Sequence, residues 1–344
     1  MEQTLPRRQH QILLALIQEY IGTAEPVGSA TLVHKCGIEA SPATIRSEMA
    51  RLESDGYLYQ PHTSSGRAPT NRAYRYYVDF LLDMQISPPT DVQNALVEYE
   101  HYNASVQRLL EFSSKHLAGM TRFTSLVLAP RLRRTMFKYL RLVHAGENNL
   151  ILILMTNTGA IINKLIQMDQ PMSDESLDRM TGVLNERLKG MYLGDIQIDF
   201  LQNLEPELQK EILVNLGELA LETASQEETD VICDGTANLL DIPEFRDLEK
   251  LKNILGLLDD EKLVAEILKK TIASEGVKVY IGSEHQVPEA AQCAFITAPY
   301  EIQGIPVGSV GIMGPTRMPY KRLIPLIRAF ARVFGRKLDN TNKS

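Results

Sequence analysis

The sequence predicts a multidomain α+β protein that begins with a helical head and continues into a larger domain interrupted by an insertion. Three observations predict it. The first 86 residues carry signals in the order helix, helix, helix, strand, loop, helix. Strand-like stretches occur on both sides of an acidic helical section. The loop Ser87-Pro88-Pro89-Thr90 separates the head from the rest. At 344 residues the chain is long enough for two or three domains.

The head is read from apolar spacing. Ile12, Leu13, Leu16, Ile17 and Tyr20 repeat at helical intervals, with Gly22 and Pro26 as stop signals. A short helix spans Ser29 to Cys36 and is closed by Gly37. Ser41 caps a third helix, and Pro42 suits its first turn because the missing N–H needs no partner there. Ile45, Met49 and Leu52 form its inner stripe, and Gly56 ends it. Tyr57 to Gln60 predicts a strand, 61–69 a loop rich in turn formers, and Thr70 the cap of a fourth helix striped by Tyr74, Tyr77, Val78, Leu81 and Leu82.

Beyond the linker, 91–118 reads as one long amphipathic helix. Strands are expected at Ser125 to Ala129, Tyr139 to His144, Leu150 to Thr156 and Ile161 to Gln167, with a hairpin turn at Asn157-Thr158-Gly159. Residues 169–275 are mainly helical in pattern. Strands return at Val277 to Ile281, Ala294 to Ala298 and Val307 to Met313, and Tyr320 to Phe334 closes as a helix.

Charge is uneven. The net charge is -7, yet residues 1–80 balance 8 basic against 8 acidic residues, whereas 169–275 carry 10 basic and 25 acidic. Gly56 to Val78 has no acid but holds Arg67, Arg72 and Arg75, and Phe112 to Gly146 has no acid and seven basic residues. Basic patches can therefore form on an acidic chain. No apolar run has the length of a membrane span. The start MEQTLPRRQHQ lacks the apolar region of a secretion signal. Cys36, Cys233 and Cys293 are too dispersed for a zinc site or disulfide framework, which predicts a reducing cytoplasm.

The third helix carries the chemistry of a DNA reader. With Ile45 facing inward and 100° per residue, Ala43, Ser47 and Ala50 face outward, flanked by Thr44, Arg46 and Arg51. Small outward residues permit close approach to base edges. Thr44 and Ser47 can donate or accept, and Arg46 can fork onto guanine or a phosphate. The loop that follows suits a wing: His62, Thr63, Ser64 and Arg67 supply donors for a phosphate track or the minor groove, with Arg72 beyond it. The competing reading is a winged-helix adaptor that binds another protein without specific DNA recognition. An enzyme is a distant third, because no convergent polar site is legible. Cys293 reads as core. Asp234, Asp241 and Asp247 read as surface or turn acids, and Gly304, Gly308, Gly311 and Gly314 lack the strand-turn-helix setting of a dinucleotide site. No catalytic, metal or cofactor site is expected. Tyr300, Arg317 and Tyr320 suit either an effector pocket or a domain contact.

Several segments, in this order, resemble the HrcA family of bacterial heat-inducible transcription repressors. They are Glu25-Pro26-Val27-Gly28-Ser29, Ser41-Pro42-Ala43-Thr44-Ile45-Arg46 with Glu48-Met49, Pro61-His62-Thr63-Ser64, Gly66-Arg67, Pro69-Thr70 and Tyr74-Arg75-Tyr76-Tyr77-Val78. Downstream come Gly235-Thr236-Ala237-Asn238-Leu239-Leu240, Pro243-Glu244-Phe245, Thr297-Ala298-Pro299-Tyr300 and Gly314-Pro315-Thr316-Arg317-Met318-Pro319-Tyr320. The resemblance implies a winged helix-turn-helix over 1–86 and a GAF-like domain in two parts, 91–170 and 250–338. It also implies an inserted dimerisation domain over 171–249. Functionally it implies a homodimer that represses chaperone operons from a double-stranded, inverted-repeat operator, favoured by the chaperonin and relieved on heat stress. Ala30 stands where the family commonly has arginine, which implies one phosphate contact fewer, and Ser65 and Ala68 vary the wing.

Overall fold

In the computed structural model, the elements of the first 83 residues follow the apolar stripes. The structure describes residues 5–62, 65–84, 86–100, 106–130, 136–146, 148–157, 159–196, 201, 210–225 and 231–341. Helix α1 (Arg7–Thr23) buries Ile12, Leu13, Leu16 and Ile17. It runs one residue past Gly22 and is closed by Ala24 in the left-handed region (φ 60°), whose N–H donates to the Tyr20 carbonyl. Helices α2 (Ser29–His34) and α3 (Pro42–Ser54) follow. The Ser41 hydroxyl accepts the Thr44 N–H at 3.1 Å, which satisfies one of the free donors of the first turn of α3.

Strands β1 (Leu58–Tyr59) and β2 (Ala68–Pro69) pair antiparallel. Val27 adds a third rung by exchanging two 2.9 Å backbone hydrogen bonds with Arg67. Helix α4 (Asn71–Asp83) is capped by Thr70 and buries Tyr74, Tyr77, Val78 and Leu81 against this unit.

The expected single helix over 91–118 is instead two helices, α5 (Thr90–Glu100) and α6 (Val106–Thr121). A continuous helix would hold residues 99 and 112 about 20 Å apart. The Tyr99 and Phe112 rings lie 5.8 Å apart, and the Tyr99 hydroxyl meets the Ser113 hydroxyl at 2.5 Å, so the chain folds back.

The strands divide between two sheets. Strands β3 (Thr124–Leu128), β7 (Val231–Asp234), β8 (Lys278–Ile281), β9 (Cys293–Ile302) and β10 (Ile305–Pro315) form a five-stranded antiparallel sheet in the order β7-β3-β10-β9-β8. Both faces are covered. Val127, Ala294, Ile296 and Val310 face a core shared with the closing helix α11 (Tyr320–Thr341). Alternate residues Leu126, Leu128, Cys293 and Phe295 face the helices α9 (Leu248–Asp259) and α10 (Glu261–Ile272). That is the period-two pattern of a sheet buried on both sides.

The second sheet is β4 (Phe137–His144), β5 (Asn149–Thr156) and β6 (Ile161–Gln167), in that order. It shares a separate core with α7 (Asp174–Leu188) and α8 (Lys210–Ser225). This moves the boundaries expected from sequence. The three strands up to residue 167 pack with α7 and α8, not with the five-stranded sheet, whereas β7, which falls inside the expected 171–249 insert, belongs to the five-stranded domain. The interruption accordingly runs from β4 to α8, between β3 and β7, which are neighbours in the first sheet.

Candidate nucleic-acid interface

Three inward residues of α3, Ile45, Met49 and Leu52, are buried, which fixes what the opposite side presents. Ala43, Arg46, Ser47, Ala50 and Arg51 are exposed and Thr44 is half-buried. Thr44 also meets the Ser41 hydroxyl at 2.8 Å, so its side chain is partly committed to the cap. Arg46 makes no hydrogen bond or ion pair among the described residues. Arg51 stands 3.8 Å from Glu48 and remains mostly in solvent.

Both carboxylates of α3 are tied back. Glu48 accepts from the Gln9 side chain at 3.0 Å, and Glu53 accepts from Arg67 Nε at 2.7 Å. What α3 offers outward is therefore small residues, hydroxyls, the Arg46 guanidinium and that of Arg51, 3.8 Å from Glu48, a surface suited to a polyanion that must be approached closely.

The hairpin is braced against this helix. Gly66 lies where a Cβ would sit 2.4 Å from the Val27 carbonyl carbon and oxygen, so only glycine lets the hairpin pair with Val27. At the tip, the Ser65 hydroxyl accepts the His62 N–H at 3.0 Å and donates to the His62 carbonyl at 2.7 Å, which closes the turn and leaves His62 exposed. Thr63 and Ser64 lie outside the described residues.

Two arginines expected at the DNA have partners inside the protein. Arg67 is turned to Glu53 rather than into a groove. Arg72 Nη1 donates to the Asp55 carbonyl at 2.6 Å, and its guanidinium lies 4.5 Å from the centre of the Tyr57 ring. It pins the start of α4 to the end of α3. The consequence for Arg67 is testable. Arg67→Ala is expected to weaken duplex binding up to about fivefold, the scale of one partly exposed ion pair. Adding Glu53→Gln is expected to restore it, because the exposed carboxylate is then neutral. A phosphate contact would behave differently: the log–log salt slope would fall by about 0.9 and the second substitution would not restore binding.

Arg75, Arg317 and Tyr320 hold the N-terminal unit to the five-stranded domain. Arg75 donates to the Val279 carbonyl at 2.5 Å and pairs with Glu284. Arg317 donates to the Ile21 carbonyl at 2.7 Å and to Glu244 at 2.5 Å. The Tyr74 and Tyr320 rings are 6.0 Å apart, and burial raises both phenols above their ordinary range. Of the two roles open to Arg317 and Tyr320 on sequence, these contacts are those of a domain junction. Tyr300 is buried and donates to the Leu128 carbonyl at 2.8 Å. Sequence reasoning missed the role of Arg75, because its acceptors across the junction, Glu284 and the Val279 carbonyl, lie more than 200 residues downstream.

The remaining candidates for chemistry are structural. Asp247 caps α9 by accepting the Glu249 and Lys250 N–H groups at 2.9 and 3.3 Å. Burial pushes the Cys293 thiol up to about 12 and that of Cys233 up to about 11. In the native protein at pH 8 both should stay protonated, so Cys293 should resist iodoacetamide until the chain is unfolded. Equal labelling rates in native and denatured protein would place that thiol at the surface. Among the described residues no three His, Cys, Asp or Glu side chains are grouped to hold a metal ion, and no helix is long and apolar enough to cross a membrane.

Comparison with known proteins gives concordant matches. Residues 107–324 match the family model described as HrcA protein C terminal domain. The heat-inducible transcription repressor HrcA of Pelotomaculum thermopropionicum is 36% identical over 338 residues, covering 97% of this chain and 97% of that protein. The protein of the same name from Natranaerobius thermophilus is 38% identical over 337 residues, covering 96% of each chain. Among solved structures, a crystal structure of a hypothetical protein at 2.2 Å resolution superposes with a TM-score of 0.64 at 25% identity, covering 98% of this chain and 100% of that one.

Proposed function

The chain belongs to the HrcA family of heat-inducible transcription repressors, and we propose that it is a homodimeric, cytoplasmic repressor that binds an inverted-repeat operator through an N-terminal winged helix-turn-helix. In this reading α2 and α3 are the helix-turn-helix, α3 lies in the major groove, and the β1–β2 hairpin is the wing. The observation that carries it is the outward side of α3: Ala43, Ser47 and Ala50 flanked by Arg46 and Arg51, with Glu48 and Glu53 both drawn back by internal partners. An adaptor that docks a protein has no need to remove the acid from one helix face.

The residues proposed to meet DNA directly are Ala43, Thr44, Arg46, Ser47 and Arg51 on α3, with His62, Thr63 and Ser64 at the wing. Arg67 and Arg72 act by holding the wing and α4 to α3. The five-stranded sheet and its flanking helices form the GAF-like domain, and the segment from β4 to α8 is the inserted dimerisation domain. Following the family, the operator lies upstream of chaperone genes, the chaperonin favours the operator-binding form, and heat relieves repression. No cofactor takes part.

The test is binding of the full chain to a duplex carrying a candidate inverted repeat, beside a scrambled duplex of the same length and composition, across a salt series. Preference for the inverted repeat with a steep salt slope is expected. Equal and weak binding to both duplexes would favour the protein adaptor.

A further inference from the structure

A cleft of about 510 Å³ lies between the C-terminal half of α11 and the β9–β10 hairpin. Its volume falls within the range of small-molecule sites. The helix comes close to the sheet edge because residue 335 is glycine: a Cβ there would sit 2.3 Å from the Glu301 carbonyl oxygen. Arg328, Arg332 and Arg336 line the cleft. Spaced four residues apart, they share one face of α11, with successive Cα atoms about 6 Å apart along its axis.

Their commitments differ. Arg336 pairs with Glu100 of α5 at 2.7 Å. Arg328 is half-buried and Arg332 exposed, and neither makes a hydrogen bond or ion pair among the described residues. The cleft also contains the carboxylates of Glu301 and Asp339, neither paired with Arg328 or Arg332. The arrangement is therefore two adjacent guanidinium forks, without partners, in a concave site whose third arginine is already neutralised. A guanidinium matches the two oxygens of a phosphate or carboxylate group, and two such forks one helical turn apart select an anion with two such groups.

We infer that this cleft binds a small organic or inorganic polyanion with at least two phosphate or carboxylate groups, held by Arg328 and Arg332. The site lies on the five-stranded domain. It uses no residue of the proposed DNA surface, so it stands or falls independently of the reading above.

The test is calorimetric titration of the full chain with inorganic tripolyphosphate and, separately, with citrate at constant ionic strength. Saturable binding of one or both probes at one site per chain is expected, the better probe identifying the anionic group. Arg332→Glu is expected to weaken it at least tenfold. Arg332 is exposed on a helix, so the variant should keep the circular dichroism spectrum of the parent, and Arg328→Gln provides a second variant. Arg46→Ala, on α3, should leave this binding unchanged. No saturable binding of either probe overturns the inference. So does binding that survives both cleft variants or is lost with Arg46→Ala, since the anion would then occupy the DNA surface.

Discussion

Ile153→Asp is expected to convert the proposed dimer to a monomer and to lower operator affinity by about 10²–10⁴-fold, the gain that joining two reading heads confers in suitable geometry. The expectation comes from the three-stranded sheet. Its inner face, with Leu140, Leu152, Leu154 and Ile166, packs on α7 and α8. Its outer face has Tyr139, Met155 and Ile161 in one row, Arg141, Ile153 and Asn163 in the next, and Val143, Ile151 and Leu165 in the third. Seven of these nine side chains are apolar, and Ile161 and Leu165 are 61% and 63% exposed. A contiguous apolar sheet face in solvent marks an interaction site. A two-fold axis through such a face would set each introduced carboxylate near its copy in a desolvated place, where the cation in its row, the cross-strand Arg141, already stands 3.5 Å from Asp178. The side chain points away from the inner core, so the fold should survive. Sedimentation gives the mass directly, against 38.6 kDa for one chain, and single half-site binding should be unchanged. A variant that still sediments as a tight dimer would move the interface to the five-stranded domain or to α5 and α6.

The sequence contained that face in a form that could be read only in part. Leu150 to Met155 is a continuous apolar run, and periodicity alone says that both sides of such a strand are buried. One side is covered within the chain. The other is only half-covered at Ile151, Ile153 and Met155. Strand positions were legible because apolar residues and turn formers are local signals. Sheet membership was not, because nothing in the stretch from β3 to β6 states that β3 pairs with β10, some 180 residues later, while β4 pairs with β5.

The break between α5 and α6 was hidden for a related reason. His101-Tyr102-Asn103-Ala104-Ser105 contains neither proline nor glycine, and the fold-back is stabilised by ring contacts of Tyr99 with Phe112, His116 and Phe330. In the N-terminal unit the local signals sufficed for α3, whose cap, inner stripe and outward residues all lie within 14 positions. They did not suffice for Arg67, since an arginine beside a glycine in a basic loop gives no sign that Glu53 holds it.

Arg46→Ala is expected to cost about 1–3 kcal/mol of operator binding, roughly 5- to 150-fold, if its guanidinium forks onto a base. Arg46 lies two turns before the end of α3, exposed, beside Ser47 and without an internal partner. Removing it should leave the packing of Ile45, Met49 and Leu52 intact, so the melting temperature and dimer mass should match the parent. Arg46→Lys separates two roles. Lysine keeps the charge but not the planar fork, so a base-reading Arg46 predicts that the lysine variant keeps most of its affinity for scrambled duplex and loses its preference for the inverted repeat. A phosphate-binding Arg46 predicts the reverse: near-normal preference with lysine, and a salt slope lower by about 0.9 per half-site with alanine. Arg51→Ala is the comparison on the same helix, since Arg51 faces the flank and already stands near Glu48, and its loss should be smaller and independent of duplex sequence. Unchanged affinity and unchanged half-site preference in Arg46→Ala would remove the outward side of α3 from the interface, and with it the main support for specific DNA reading by this helix.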